Sequence, residues 1–273
     1  MSRGAARRAV AVVLARAGSK GLPRKNALPV GGRPCIVWTI GHATAAASVA
    51  TVAVSTDGAE LTQIARGEGV TVINRPADLA GDTVTVDAAA RHAVEMLEAG
   101  RAEGLDRRIP VADTDPVVIL YGNVPVRPAG LIDRAVEMLV RTKCDSVQSY
   151  AAVGKYHPWW TARLDAATGN VRPWEGDVLN HGVFRRQDLP PAYIPDGGVI
   201  VVTRRALFCE IDGVPGGPHR FFGLDRRGVL NREGAVVDID NRIDLLVADA
   251  LLREQGVAVD APPVPAPVME GAR

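Results

Sequence analysis

The sequence of 273 residues has few of the features that mark several large classes of protein. Its three cysteines, Cys35, Cys144 and Cys209, are far apart and odd in number, so neither a disulfide framework nor a CxxC pair is expected. The formal net charge is only +1, whereas a general nucleic-acid binder needs a basic excess. No apolar run approaches the roughly 20 residues of a membrane span. These absences predict a cytoplasmic protein without a membrane or nucleic-acid partner.

Short apolar, β-branched runs alternate with amphipathic stretches along the chain. The pattern predicts strands at 9–15, 50–55, 70–74, 116–122, 146–152, 198–203 and 235–240, and helices at 35–47, 61–69, 85–99, 131–142 and 241–256. The first run follows a basic octapeptide but is too short for a signal peptide. Several strands are apolar on both faces, as in a parallel sheet that helices cover. We expect one α/β domain over 1–260 with a doubly wound, mostly parallel sheet, which binds ligands at the carboxyl ends of its strands.

The alternation stops at about 153–196, a segment with three of the four tryptophans and several prolines. We interpret this segment as an insertion that covers the site, mediates a homodimer, or both, because aromatic clusters favour interfaces. A locally packed, irregular subdomain is the alternative. The last residues, 261–273, are proline-rich without a core pattern and predict a flexible tail.

The stretch LARAGSKGLPRKN, residues 14–26, places four cations around a glycine-rich bend after the first predicted strand. Gly18 and Gly21 allow backbone N–H groups to turn toward an anion, and Asn26 adds a neutral donor. An open α/β sheet binds phosphates at this position, between its first strand and first helix. The stretch is neither a Walker A loop nor a GxGxxG motif. It predicts a polyphosphate site, with a solvated loop of scattered charge as the alternative.

Two aspartates, Asp238 and Asp240, lie two residues apart in the last predicted strand. Residues at i and i+2 of a strand project from the same face. Paired carboxylates are costly unless a cation neutralises them, and Mg²⁺ prefers oxygen ligands. The pair therefore predicts a magnesium site. The alternative for Asp240 is a structural one, since this residue also stands where the N-cap of the following helix is expected.

Five blocks, in the same order, resemble those of the acylneuraminate cytidylyltransferases, the CMP-sialic acid synthetase family. They are LARAGSKGLPRKN (14–26), VSTDGAELTQIARGEGV (54–70), NRPADLAGDTVT (74–85), RRQDLPPAYIPDGGVIV (185–201) and VVDIDNRIDL (236–245). The resemblance extends over most of the chain. It implies a fold of the nucleotide-diphospho-sugar transferase type. It also implies an enzyme that joins CMP from CTP to an acidic sugar, such as a sialic or other nonulosonic acid, with Mg²⁺ and with release of pyrophosphate.

The resemblance further implies which residues form the site. Arg16 and Lys25 would be catalytic, with Lys25 beside the reacting phosphates. The nucleotide would contact Ala15, Arg16, Gly18, Ser19, Lys20, Gly21, Lys25, Asn26, Arg75, Asp82 and Thr83. The acceptor would contact Arg186, Gln187 and Asp196, and the metal would be held by Asp238 and Asp240. Tyr121 and Asn123 stand where the family has other residues that contact donor and acceptor, and we assign them to the acceptor by that position.

One block departs from the family pattern. Where the family usually has a sequence like QPTSPLR, this chain has LYGNVPVRP, so residues 121–124 replace groups that contact donor and acceptor. The segment YGNVP is similar to the YGDVP of sugar-phosphate nucleotidyltransferases, whose aspartate binds metal, and Asn123 could coordinate through its amide oxygen. Two alternatives stay open: a nucleotidyltransferase with a sugar 1-phosphate or phosphonate acceptor, and a nucleotide-binding protein without turnover. Intact Lys25, Asp238 and Asp240 argue against the second.

Overall fold

A computed structural model describes residues 9–18 and 21–260, with side chains as far as residue 254. Ser19 and Lys20 of the predicted phosphate loop, and the predicted tail at 261–273, lie outside the described residues. In the described part of the chain, no helix is both long enough and apolar enough to span a membrane.

The described chain forms eleven strands and six α-helices. The strands are β1 (Ala9–Leu14), β2 (Pro29–Val30), β3 (Arg33–Pro34), β4 (Val49–Thr56), β5 (Thr71–Asn74), β6 (Pro116–Tyr121), β7 (Ser146–Ala152), β8 (Ala162–Leu164), β9 (Val171–Pro173), β10 (Tyr193–Thr203) and β11 (Arg226–Asn231). The helices are α1 (Cys35–Ala45), α2 (Ala59–Gly67), α3 (Val86–Ala99), α4 (Leu131–Thr142), α5 (Arg204–Leu207) and α6 (Arg242–Asp260).

Seven of these strands form one sheet in the order β11-β7-β10-β6-β1-β4-β5. Strand β10 runs antiparallel to both neighbours, β6 and β7, and the remaining pairs are parallel. The sheet is therefore mostly parallel, as predicted. Since β6, β1, β4 and β5 are parallel neighbours, their carboxyl ends lie at the same end of the sheet, where the predicted phosphate loop begins.

Helices cover both faces of the sheet because the central strands are apolar on both faces. In β1, Ala9, Ala11 and Val13 pack with α1, α2 and α4 in one core, whereas Val10 and Val12 pack with α3 and α5 in the other. This split follows from the two-residue period of a strand. A third, smaller cluster lies between α6 and the hairpin of β2 and β3, and it contains Val30, Ile239 and Leu252.

The predicted insertion has little regular structure. It contains four short 3-10 helices and a two-stranded hairpin of β8 and β9, whose residues are largely exposed. Its Trp159 is stacked on His181, with ring centroids 4.6 Å apart, and the Trp160 indole donates to the Val183 carbonyl at 2.8 Å. Both tryptophans therefore pack within the insertion, whereas Tyr156, Trp174 and Phe184 are exposed.

One predicted strand, 235–240, is wrong. The segment runs antiparallel to residues 123–126 but forms only an isolated bridge, between Val237 and Val126. Its backbone is held by two hydrogen bonds, from Val237 N to Val126 O at 3.3 Å and from Ile239 N to Asn123 O at 2.9 Å. The opposing residues 123–126 belong to a loop and form no further ladder pairs with this segment. The alternating pattern therefore did not produce a strand. One of the two edge strands of the sheet is β11, which the sequence pattern did not indicate; the other is β5.

Candidate active site

A cavity of about 230 Å³ lies at the carboxyl ends of β1, β5 and β6. Its lining joins residues from three separate predicted blocks: Leu14, Arg16, Lys25, Asn26, Arg75, Leu79, Gly81, Asp82, Val84, Thr85, Val86, Ala89, Tyr121 and Asn123. Three cations in so small a space make it suited to a polyanion, because each phosphate charge needs a nearby positive group. Thr83 is exposed and does not line the cavity; its neighbours Val84 and Thr85 do.

A larger cavity, of about 670 Å³, lies between α1, the start of α4 and α6. Its lining is mainly apolar and includes none of the predicted site residues. Size alone would favour this cavity, but chemistry favours the smaller one, where charged groups from distant parts of the sequence meet. We therefore place the candidate active site in the smaller cavity.

The two catalytic candidates are each paired with a carboxylate. Arg16 donates to Asp82, and Lys25 Nζ donates to Asp240 Oδ1 at 2.7 Å. The Lys25 side chain is only 17% exposed. Its aliphatic part is therefore packed within the protein, while its ammonium group contacts Asp240. Both cations are thus directed by ion pairs that a bound triphosphate could replace.

The loop between β1 and α1 is fixed by its own polar contacts. Asn26 is 4% exposed and its amide donates to the carbonyl of Arg16 at 3.0 Å, while Ala17 N donates to Asp57 at 2.8 Å. Gly21 packs against the last acidic segment, because a Cβ atom there would lie 2.7 Å from the carbonyl oxygen of Asp240. A glycine is therefore required at this position to bring the loop and the acids together. Ala15 is buried beneath the loop, and Gly18 is exposed on it.

Arg75 follows β5 and is 9% exposed. Its guanidinium donates to the hydroxyl of Ser55 at 3.1 Å and to the Ser55 carbonyl at 2.7 Å. Burial lowers the pKa of this guanidinium, and the nearby charge of Arg16 lowers it further. Arg75 is therefore a rigid cation in the wall of the cavity, held by the end of β4.

Asp238 and Asp240 do not line the cavity themselves, but each contacts a residue that does, Asn123 and Lys25 respectively, and the two carboxylates lie in different environments. Asp238 is largely buried, and burial followed by the charge of Asp240 raises the pKa of its carboxyl to about 6, against the opposing charges of Lys25 and Arg127. The Asp240 side chain is 71% exposed. Repulsion between two carboxylates is relieved by a cation, so the donor set fits a hard ion such as Mg²⁺. In the described ranges no group of three or more His, Cys, Asp or Glu side chains could hold a metal, so phosphate oxygens or water would complete the shell.

Helix α6 begins without the help of the Asp240 side chain, so the structural alternative for that residue is wrong. Asn241 Oδ1 accepts from the backbone N–H groups of Ile243 at 2.8 Å and Asp244 at 3.2 Å. In return, Asp244 Oδ2 accepts from Asp240 N at 2.9 Å and Asn241 N at 3.0 Å. This reciprocal arrangement is a capping box with Asn241 as the N-cap. The Asp240 carboxylate faces Lys25 instead.

Asn123 connects the divergent block to the acids. Its amide nitrogen donates to Asp238 and to the carbonyl of Ile239, the latter at 3.0 Å. The amide thus acts as a donor toward Asp238. Tyr121 lines the same cavity, and burial followed by the Asp238 charge raises the pKa of its hydroxyl. Cys35, in contrast, is fully buried, and burial raises the pKa of its thiol to about 12, which fits a core residue.

The predicted acceptor residues at the insertion do not line the cavity. Arg186 pairs with Glu233, and Gln187 is exposed beside it. Asp196 accepts from Ser149 at 2.5 Å, from Gly198 N at 2.9 Å and from Asn231 at 2.7 Å. Asp196 therefore joins three strands at the irregularity in β10, where Gly197 lies against Asp238.

Arg127 is a residue that sequence reasoning missed. It is 6% exposed and donates to the carbonyls of Gly198 at 2.6 Å and Tyr121 at 3.1 Å, to the carbonyl of Val124, and to the Thr39 hydroxyl at 2.8 Å. Burial lowers the pKa of its guanidinium to about 9. The available signal was a lone cation in the apolar, proline-rich run VPVRP. Its hydrogen bonds attach the loop after β6 to α1 and β10. That loop carries Asn123, which contacts Asp238.

We expect Arg127→Met to lower the free energy of unfolding by about 3 kcal/mol, because four acceptors lose the guanidinium as a donor at once and the single hydroxyl of Thr39 is left to serve the carbonyls of both Tyr121 and Val124. Arg127→Lys is expected to recover little of this loss, since an ammonium group cannot reproduce the planar fork. Urea unfolding measures both. Arg134→Met, at an exposed arginine on α4, is the matched control and should change stability by about 0.5 kcal/mol or less. A loss of similar size in Arg127→Met and the control would contradict the supporting role.

The sequence matches the family model described as Cytidylyltransferase over residues 10–157, more than half of the chain. One curated relative is the N-acylneuraminate cytidylyltransferase of Streptococcus agalactiae serotype V, 29% identical over 205 residues, which are 74% of this chain and 45% of that protein. Another is the CMP-N,N'-diacetyllegionaminic acid synthase of Legionella pneumophila, 27% identical over 247 residues, covering 90% and 96%. The chain spans about half the length of the N-acylneuraminate cytidylyltransferases that it matches.

Among solved structures, the chain is similar to a CMP:2-keto-3-deoxy-manno-octonic acid synthetase complexed with CTP, with a TM-score of 0.62 and 19% identity over 91% of this chain and 99% of that one. It is also similar to a 4-diphosphocytidyl-2C-methyl-D-erythritol synthase, with a TM-score of 0.58 and 14% identity over 90% and 99%. These likenesses confirm the predicted fold class. Together with the match to the family model, they lead to one conclusion: the chain belongs to the cytidylyltransferase family.

Proposed function

We propose that this chain transfers CMP from CTP to an acidic sugar and releases pyrophosphate. The observation that carries the proposal is the meeting of Arg16, Lys25 and Arg75 with Asp238 and Asp240 at one edge of the sheet. Membership of the cytidylyltransferase family supports CTP as the donor. The names of relatives, which include N-acylneuraminate and pseudaminic acid cytidylyltransferases, support an acidic nonulosonic sugar as the acceptor.

In the proposed reaction, a hydroxyl of the acceptor attacks the α-phosphorus of CTP, a new P–O bond forms, and the bond to the β-phosphate oxygen breaks. The hydroxyl proton passes to solvent, and pyrophosphate leaves. Arg16 and Lys25 exchange their carboxylate partners for phosphate oxygens and stabilise the charge that develops on the leaving group. Mg²⁺, when held by Asp238 and Asp240, would supply further positive charge at the phosphates. No covalent enzyme intermediate is needed.

The test is a matrix of four nucleoside triphosphates against a panel of acceptors, with pyrophosphate release as the readout. The acceptors are N-acetylneuraminic acid, N,N′-diacetyllegionaminic acid, pseudaminic acid and 2-keto-3-deoxy-manno-octonic acid. We expect release with CTP and at least one acid, and none with CTP alone. Absence of release in every combination, with CTP binding retained, would favour a nucleotide-binding protein without turnover.

A second candidate is a nucleotidyltransferase that uses a sugar 1-phosphate or a phosphonate. It is favoured by the segment YGNVP, because Asn123 contacts Asp238 at the position where similar enzymes carry a metal-binding aspartate. Two sugar 1-phosphates and one phosphonate therefore belong in the panel. Release of pyrophosphate with these compounds, and not with the acids, would replace the leading proposal.

The acceptor end of the proposed site is formed by two groups of residues. Tyr121 and Asn123 approach from the nucleotide cavity, and Arg186 and Gln187 approach from the base of the insertion. Asp196 accepts three hydrogen bonds and holds the irregular part of β10 to β7 and β11. We place the protein in the cytoplasm, and the free thiols of Cys35, Cys144 and Cys209 are consistent with a reducing compartment.

We further propose a homodimer formed through the insertion. Exposed apolar side chains are concentrated there: Tyr156, Leu164, Val171, Trp174, Val178, Leu179, Phe184, Tyr193 and Ile194. Clusters of exposed apolar side chains favour interfaces, and aromatic residues are enriched in them.

We expect a dimer by light scattering at micromolar concentration, and a monomer after Phe184→Asp, because Phe184 is 84% exposed and would place a charge in the interface. Val140→Asp changes a 42% exposed apolar residue on α4 and should leave the dimer intact. A monomeric unmodified chain would refute the dimer. A dimer that persists in Phe184→Asp would show that the interface does not involve this surface.

A further inference from the structure

Arg186 and Glu233 form an ion pair between the insertion and the turn that follows β11. Nη2 of Arg186 donates to Oε2 of Glu233, and the two side chains are 56% and 51% exposed. Of the described residues, no other accepts a hydrogen bond from the Arg186 side chain. Most of the guanidinium fork is therefore turned toward solvent with a single carboxylate on it.

The backbone at Gly154 accommodates the ion pair of Arg186 and Glu233. Gly154, at the start of the insertion, has a φ of +56°, and a Cβ atom there would overlap the Glu233 carboxylate and lie 3.1 Å from Nη2 of Arg186. Glycine is the residue that allows both the left-handed backbone and the close approach. Three segments that are distant in sequence thus meet at this carboxylate and guanidinium.

The ion pair is also connected to Asp238, one of the two aspartates of the proposed metal site. Glu233 lies two residues after Asn231, whose amide donates to Asp196 at 2.7 Å. The next residue, Gly197, lies so that a Cβ atom would be 3.4 Å from Oδ2 of Asp238. From Glu233 the chain itself continues through residues 234–237 to Asp238. The pair is therefore joined to Asp238 by a short stretch of chain and, through Asn231, Asp196 and Gly197, by contacts between neighbouring strands.

We propose that Glu233 occupies the place on Arg186 that the carboxylate of the acidic acceptor takes, so that Glu233 sets the affinity for that acceptor. The inference rests on the proposed function. A planar guanidinium binds a carboxylate through parallel N–H donors, and the Glu233 carboxylate is the same chemical group as that of the acceptor. An ion pair this exposed contributes little free energy. Replacement of Glu233 on Arg186 by the carboxylate of an acidic acceptor therefore costs little. A neutral sugar has no group that could replace Glu233.

The competing role for Glu233 is that of a clamp that orients Arg186 and anchors the insertion. The two roles predict opposite signs for removal of the charge. If Glu233 competes with the acceptor, Glu233→Gln frees the guanidinium and the acceptor binds more tightly. If Glu233 orients Arg186, the same change loosens the guanidinium and the acceptor binds more weakly.

Steady-state kinetics of Glu233→Gln should show a KM for the acceptor that falls about two- to five-fold, the range expected for an exposed ion pair, with kcat and the KM for CTP unchanged. The acceptor used is the panel acid with the fastest pyrophosphate release. Asp188→Asn is the matched control, because Asp188 pairs with the neighbouring Arg185 at 2.6 Å, has a side chain that is 41% exposed, and gives the same change in net charge. It should leave the KM unchanged. In an Arg186→Ala background, Glu233→Gln should have no effect.

Calorimetry provides a readout without turnover. The same acid, bound in the presence of a non-hydrolysable CTP analogue, should show a lower Kd with Glu233→Gln, and its methyl ester should show no gain. An acceptor affinity that is unchanged or weaker in Glu233→Gln, in an enzyme that still releases pyrophosphate, would overturn the inference and leave the proposed function intact. An unmodified chain that releases no pyrophosphate with any acid would overturn both.

Discussion

Lys25→Ala is expected to lower the rate of pyrophosphate release 10²-fold or more while leaving the fold intact. Lys25 is one of the three cations that line the cavity, with Arg16 and Arg75, and its loss removes charge stabilisation from the transition state. Its partner Asp240 is 71% exposed, so water solvates that carboxylate once the lysine is gone. Stability by urea unfolding should therefore change little, and kcat should carry the effect.

Arg24→Gln is the control for this prediction. Arg24 is the adjacent residue and also a cation, but it pairs with Glu60 on α2 and does not line the 230 Å³ cavity. Its removal changes the net charge by the same amount and should keep the rate within a few-fold of the unmodified chain. A Lys25→Ala variant with a near-normal rate would remove the phosphate-loop assignment.

Asp238→Asn and Asp240→Asn are each expected to abolish most turnover, with a loss of 10²-fold or more. Both changes remove an anionic oxygen ligand from the proposed Mg²⁺ site while keeping the size of the side chain. In a variant that keeps measurable activity, the Mg²⁺ concentration for the half-maximal rate should rise. Calorimetry in the presence of a CTP analogue should show weaker binding of Mg²⁺ to both variants. Asp212→Asn, at an exposed aspartate outside the cavity, should behave as the unmodified chain. Full activity of both site variants at low Mg²⁺ would contradict the metal site.

The Asp238 carboxyl should also make stability depend on pH in a defined direction. Its pKa is about 6 in the folded chain, above the ordinary value, so the folded state binds the proton more tightly than the unfolded state does. The ionised carboxylate thus destabilises the fold above pH 6, and stability from this group rises as the pH falls from about 6 toward 4. In the absence of metal, Asp238→Asn should be more stable than the unmodified chain at pH 8 by about 1–3 kcal/mol. The difference should shrink toward pH 4; a constant difference would contradict the raised pKa.

The alternation of apolar strands with helical stretches predicted the fold well where each strand is buried on both faces. Strand β1 and helix α4 are found within a residue or two of their predicted limits. Strand β11 was not predicted, because RRGVLN carries two arginines and a glycine at an edge of the sheet and has no continuous apolar run. The false strand at 235–240 has the opposite cause: the run VDID alternates correctly, but the residues that pair with it, 123–126, belong to a loop.

The candidate site shows a similar division. Arg16, Lys25 and Asn26 were recognised from the glycine-rich bend, whereas Arg75 and Asp82 were assigned from the family resemblance. All five line one cavity. Contacts that depend on the packing of distant segments could not be recognised. The four acceptors of Arg127, the capping box that releases Asp240, and the Glu233 partner of Arg186 are set by tertiary structure, and no local spacing encodes them.

The most direct test of the central claim is the identity of the product. The unmodified chain is incubated with CTP, Mg²⁺ and the panel acid with the fastest pyrophosphate release, and the products are identified by mass spectrometry. The account predicts a CMP ester of the intact acid, formed in equal amount to pyrophosphate. Free CMP without a CMP-linked sugar would contradict it, and so would a parallel incubation in which a sugar 1-phosphate yields a CDP-sugar while the acid yields no CMP ester.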